Sequence, residues 1–228
     1  MKRFWTDVTV DAAGGIALDG RPVRTPGRVP LALPTAALAT AVADEWRSVG
    51  ETLDPRAMPL TGLANAAIDR IAAAPAAFAT GLAAYGESDL LCYRAAEPPA
   101  LAARQAANWD PWLDWARGRY DVHFTVTAGI LHQPQPAATL ARLGDAVAAL
   151  DPFHLAGLSP VVTITGSLVL ALALAERAGD AETLWTAANL DEDWQAEHWG
   201  SDPLAEQARD VRRHDFDAAV RFLAALDA

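Results

Sequence analysis

Polar and apolar positions change their period once along the chain. Over the first 33 residues Phe4, Thr6, Val8 and Val10 alternate with Trp5, Asp7 and Thr9, the period of two that marks a half-buried strand. Ala13-Gly14-Gly15 supplies a turn, Ile16 to Leu18 resume the strand, and Asp19-Gly20 is a hairpin signal. The prolines of Arg21-Pro22-Val23-Arg24-Thr25-Pro26 and Val29-Pro30-Leu31-Ala32-Leu33-Pro34 are too dense for a helix and suit edge strands. The pattern predicts a small antiparallel sheet.

After Pro34 the period becomes 3.6. Thr35 stands as an N-cap, Leu38, Val42, Trp46 and Val49 share one face, and Gly50 follows where a helix ends. A second helix is predicted from Thr61 through Leu63, Ala67, Ile68 and Ile71, and a third from Pro75 through Phe78, Leu82 and Tyr85 to Gly86. A fourth runs from Pro99 to Tyr120, interrupted where Asp110 can cap a restart at Pro111. An extended stretch follows at His123 to Ile130, then a fifth helix from Pro136 to Leu150. Leu155 to Ala175 carries no charge and is about the length of a bilayer span. Its Gly157, Ser159, Pro160, Thr163, Thr165, Gly166 and Ser167 instead predict a buried central helix, or two helices broken near Pro160 or Gly166. Two polar helices close the chain, from Asp180 to Trp199 and from Asp202-Pro203 to Leu226. The predicted fold class is α+β: a small N-terminal antiparallel β domain over residues 1–34, then a larger all-helical domain over residues 35–228.

Composition narrows the chemistry. Eighteen basic against twenty-nine acidic residues give a formal net charge of -11, which repels nucleic acid and anionic lipid. Lys2 is the single lysine, so a phosphate-loop lysine or a Schiff base has no candidate inside the fold. The single cysteine, Cys92, removes disulfide frameworks and multi-thiolate zinc sites, and its apolar neighbours predict a buried, inert thiol. Asp7 and Asp11 interrupt any signal-peptide core, so the chain is expected to stay where it is made.

Catalytic signatures are absent: no G-x-S-x-G, no G-x-G-x-x-G and no H-E-x-x-H occurs. His198 and His214 lie among acids without metal-ligand spacing. Trp109, Trp112 and Trp115 drift around one helix and suit core packing, although eight tryptophans in all exceed what packing needs and tryptophan favours interfaces. The segment from Leu184 to Gly200 is the most informative. On one continuous helix Leu184, Trp185, Ala188, Glu192, Gln195, Ala196 and Trp199 share a sector, with Glu192 near its centre. Asp191 and Asp193 then turn toward water. A carboxylate between Trp185 and Trp199 needs an arginine, a backbone donor or a partner protein. The enzyme alternative, a helical hydrolase with Glu192 as general acid or base, lacks a second group in the sequence.

Several strings, taken in order, resemble a known family. They are Lys2-Arg3-Phe4-Trp5, Asp19-Gly20-Arg21-Pro22-Val23-Arg24-Thr25-Pro26, Ala41-Val42-Ala43-Asp44-Glu45-Trp46 and Met58-Pro59-Leu60-Thr61. They continue with Asp89-Leu90-Leu91-Cys92-Tyr93-Arg94, Asn108-Trp109-Asp110-Pro111, and Leu190-Asp191-Glu192-Asp193-Trp194-Gln195 leading to Trp199-Gly200. The chain resembles the assembly chaperones that bind the alpha subunit of the F-type ATP synthase catalytic head, the family of ATP synthase mitochondrial assembly factor two and its bacterial relatives. The resemblance implies a non-enzymatic chaperone without cofactor or metal, monomeric by itself. Its partner would be the unassembled alpha subunit, protected from aggregation before it joins beta. The family's acidic motif falls on Asp191, Glu192 and Asp193, so the expected partner-binding residues are these three with Trp194, Gln195, Trp199 and Trp185. Strands begin at once, with no Arg- and Ser-rich leader, which leads to the expectation of a bacterial cytoplasmic form rather than a mitochondrial matrix one.

Overall fold

Two residues with positive φ set the N-terminal sheet. Asp19 (φ 47°) and Gly20 (φ 76°) form the two-residue turn that joins β2 (Ile16–Leu18) to β3 (Arg21–Pro22), pairing Leu18 with Arg21. Such a turn matches the right-handed twist of the strands it connects. The Asp19 carboxylate also accepts from the amides of Thr6 and Asp7, at 3.1 and 2.8 Å. These bonds, that to Asp7 foremost, hold its pKa below the ordinary value. β1 (Val8–Val10) pairs antiparallel with β2, giving the order β1-β2-β3. The computed structural model describes residues 2–228.

The alternation around Phe4 is corrected. Regular pairing begins only at Val8; Trp5 is buried while Phe4 is 64% exposed, the reverse of the expected phase. Outside the ladder the backbone is free to turn Trp5 inward, where its ring meets Trp46 edge-on at 5.4 Å and its indole donates to the Trp46 carbonyl at 3.3 Å.

The helices follow the predicted order. α1 (Ala36–Ser48) starts at Thr35, whose hydroxyl oxygen accepts from the amide of Leu38 at 3.1 Å and donates to the carbonyl of Ala225 at 2.6 Å. α2 (Pro59–Ala66) runs into a π-helical turn at Ala67–Ile71, and α3 (Pro75–Ala83) into a 3₁₀ turn. The Glu45 carboxylate accepts from the amides of Leu60 and Thr61, both at 2.8 Å, so α1 caps the open N-terminus of α2.

α4 (Pro99–Tyr120) passes through Pro111 unbroken, against the expected restart. Only the hydrogen bond that the missing N–H would make is lost, and Trp109, fully buried, anchors the helix by donating to the Ala187 carbonyl at 2.8 Å. Asp110 pairs with Arg94 at 2.7 Å instead of capping. The expected extended stretch contributes one short strand: β5 (Thr127–Ala128) pairs parallel with β4 (Tyr93–Arg94).

α5 (Ala137–Ala148) precedes the uncharged segment, which divides at Gly166 (φ 65°) into α6 (Pro152–Thr165) and α7 (Leu168–Ala175). Leu168 to Ala173 are all buried. Asp89, also fully buried, accepts from the amides of Leu91 and Val169, each at 3.0 Å, and so caps α7. Burial raises its pKa to about 6 despite these bonds. Cys92 is buried as expected, and burial, with the charge of Asp89, pushes its thiol up to about 12. No helix among the described residues is long and apolar enough to cross a membrane.

The predicted helix from Asp180 to Trp199 is two helices, α8 (Ala181–Ala188) and α9 (Leu190–Trp199). The break is at Asn189 (φ -102°, ψ 11°), whose backbone N–H and side-chain amide both donate to the Trp185 carbonyl, at 3.0 and 2.8 Å, so that the last turn of α8 closes there. α10 (Pro203–Leu226) closes the chain. The fold class is α+β, as expected. The chain forms two compact units, residues 1–75 with 150–157 and 217–228, and residues 76–149 with 158–216.

Candidate functional site

The break at Asn189 resets the helical phase, and this decides where the acids point. Leu184 and Trp185, on α8, are buried, whereas Glu192, Gln195 and Trp199, on α9, are exposed. The single sector drawn through all of them does not exist. Glu192 is the outward acid of the three, and Asp191 and Asp193 are the half-buried ones, the opposite of the expected arrangement.

Each acid of the triplet is held by a different side chain. Asp191 accepts from Gln105 of α4 at 2.7 Å, and Gln105, itself buried, accepts from the amide of Ala95 at 2.7 Å. Glu192 binds Arg212 of α10 at 2.8 and 2.6 Å. Asp193 binds Arg209, one turn earlier on α10, at 2.5 Å. Four residues further on, Glu197 takes a bidentate pair from Arg104 of α4 at 2.6 and 2.9 Å. α9 is thus tied to α4 on one side and α10 on the other.

The sequence missed these partners. Arg209 and Arg212 lie three apart on α10, as Asp193 and Glu197 lie four apart on α9. A helix-face reading of the last helix holds that signal, but which face meets which acid is a matter of packing.

The aromatics divide accordingly. Trp185 lies 5.3 Å from Phe216 with the guanidinium of Arg213 over its ring at 5.3 Å, and serves the packing of α8 on α10. Trp194 is half-buried and stacks on His198 at 4.2 Å. Of the eight tryptophans Trp199 alone is exposed, at 78%, and five residues on Leu204 is 75% exposed. Between them Gly200 takes a positive φ of 84°, which lets the chain turn from α9 into α10. At this turn lies a cleft of about 350 Å³ lined by Gly200 with Glu192, Gln195, Ala196, Arg209 and Arg212 among others. The surface therefore offers an aromatic and an aliphatic anchor beside a row of paired charges, an arrangement that can dock a protein. The partner that Glu192 has among the described residues is the guanidinium of Arg212, which neither gives nor takes a proton near neutrality. No group of three or more His, Cys, Asp or Glu that could hold a metal occurs among the described residues.

The chain is similar to known proteins. Residues 2–117 match the sequence model of the family described as ATP12 chaperone protein. Protein atp12, mitochondrial, of Schizosaccharomyces pombe is 24% identical over 229 residues, spanning 94% of this chain and 78% of that one. The crystal structure of Atp12 from Paracoccus denitrificans is 43% identical with a TM-score of 0.92, covering 99% of this chain and 98% of the other. The Atu1473 protein from Agrobacterium tumefaciens is likewise 43% identical, with a TM-score of 0.93 over 99% of this chain and 86% of that chain.

Proposed function

The chain belongs to the ATP12 chaperone protein family, and from that membership we propose that it is an assembly chaperone of the F-type ATP synthase which holds the unassembled alpha subunit of the catalytic head. It is a chaperone and not an enzyme. The observation that carries the reading of the site is Trp199, 78% exposed in a chain that buries or half-buries every other tryptophan. A ring subunit outside its ring exposes an apolar interface that must be covered reversibly. Trp199 and Leu204 supply apolar contact area, while Glu192, Asp193 and Glu197, neutralised by their arginines, give the rim polarity without an uncompensated buried charge. The net charge of -11 opposes indiscriminate association. Binding is one chaperone to one alpha subunit, in the compartment where the soluble head assembles, which for a bacterial member is the cytoplasm.

The test is co-expression with the alpha subunit followed by affinity capture, together with light scattering of alpha diluted from denaturant. The reading expects alpha to be captured and its scattering suppressed at a one-to-one ratio. No capture and no suppression would overturn it.

A further inference from the structure

A second opening belongs to the other unit and has the opposite charge. A pocket of about 270 Å³ is lined by Phe4, Leu18, Arg21, Val23, Arg24 and Trp46. Phe4 is 64% exposed at its edge, while Leu18, Val23 and Trp46 are buried. The indole N–H of Trp46 is buried and has no hydrogen-bond partner among the described residues. The ring of Trp46 forms part of the pocket wall and so reports on what enters it.

Arg21 and Arg24 are exposed, and neither is in an ion pair among the described residues. The acid whose pKa feels Arg21 is Asp19, and its oxygens are already engaged by the amides of Thr6 and Asp7. Arg24 donates to the carbonyl of Arg28 at 2.8 Å, which leaves its charge uncompensated. The local balance agrees. The first fifty residues hold six basic against five acidic side chains, leaving twelve basic against twenty-four acidic in the remaining 178.

The charged side chains offered here, Arg21 and Arg24, are both cationic and the other lining side chains are aromatic or aliphatic. We propose that this pocket docks an acidic, apolar peptide segment of the client, with a carboxylate between Arg21 and Arg24 and an adjoining aromatic or aliphatic side chain on Phe4. The identity of the client rests on the function proposed above; the chemistry of the pocket does not.

The test is a nuclear magnetic resonance titration of chain labelled with ¹⁵N-tryptophan. The probes are the peptide acetyl-Leu-Glu-Phe-Asp-amide and its counterpart with lysine in place of both acids. The Trp46 indole resonance is expected to shift and saturate with the acidic peptide only. The double variant Arg21→Glu/Arg24→Glu, exposed at both positions and melting as wild type, is expected to weaken that binding at least tenfold. A stationary Trp46 resonance, equal affinity for the two peptides, or an unaffected double variant would overturn the pocket assignment. Isolated alpha subunit is then added to the peptide complex. Release of the peptide supports the client as the carrier of the segment. Alpha captured with the peptide still bound would overturn that carrier and leave the α9 surface standing. Alpha not captured at all would remove both the client and the proposed function, but not the pocket.

Discussion

Both carboxylate oxygens of Glu192 take hydrogen bonds from a single nitrogen, Nη2 of Arg212, at 2.8 and 2.6 Å. The side chain of Glu192 is 52% exposed and that of Arg212 36%, so the pair is a surface one and contributes roughly 0–1 kcal/mol to stability. Glu192→Lys is therefore expected to melt within a few degrees of wild type and yet to lose capture of the alpha subunit, because it places a cation against Arg212 in the middle of the proposed docking surface. The exchange Glu192→Arg/Arg212→Glu separates pairing from recognition. It restores the ion pair, and capture that returns with it assigns Glu192 a positioning role, whereas capture that stays lost assigns it direct contact with the client.

Trp199 and Trp185 should part company in the same assay. Trp199→Ala removes an exposed ring and is expected to change stability by no more than about 0.5 kcal/mol. Capture of alpha should fall at least tenfold. Trp185→Ala removes a ring that is 5% exposed and should cost about 3–5 kcal/mol, visible as a lower urea midpoint.

Asp89 makes a pH-dependent contribution of unusual sign for a hydrogen-bonded carboxylate. Its folded pKa is raised from 3.8 to about 6, burial outweighing the bonds from Val169, Ser167 and Leu91. Between those values the folded chain holds a proton that the unfolded chain has released. This group's contribution to stability therefore falls as pH rises from about 4 to about 6, and levels off above. Asp89→Asn removes that slope. The comparison is urea unfolding of both proteins at pH 4.5 and 7.0, with wild type gaining more than the variant at the lower pH. Asp89→Ala strips the acceptor from the amides of Leu91 and Val169 and is expected to cost about 2–3 kcal/mol at either pH.

Gly157 is a close-approach position on α6. A β-carbon there would lie 2.7 Å from Cδ2 of Leu223 and 3.1 Å from Cδ1 of Phe222, both on α10. Gly157→Ala should destabilise by about 1–3 kcal/mol through overpacking. Gly62, inside α2, has nothing within 4 Å of such a carbon, and Gly62→Ala should stabilise by up to about 1 kcal/mol. Thermal melts of the two variants, shifted in opposite directions, check the pair.

What the sequence determined by itself is what short range encodes. The Asp19-Gly20 turn, the Thr35 cap of α1, the glycine break between α6 and α7 and the order of sheet and helices all follow from residues within a turn or two of each other, because backbone sterics and capping bonds act over that distance. The burial of Cys92 and Trp109 was legible in their apolar and helical context. Only the tertiary structure decided which way Asp191, Glu192 and Asp193 face. The backbone leaves helical geometry at Asn189 (φ -102°, ψ 11°) and rotates everything after it, and a periodicity argument carries no signal for that. The same holds for the arginines that receive the acids. Arg212 lies twenty residues from Glu192 and Arg104 ninety-three from Glu197, so the pairs exist only once α4, α9 and α10 have packed. The unsatisfied indole of Trp46 is likewise invisible in sequence, since a missing partner is a property of the space around a group and not of its neighbours along the chain.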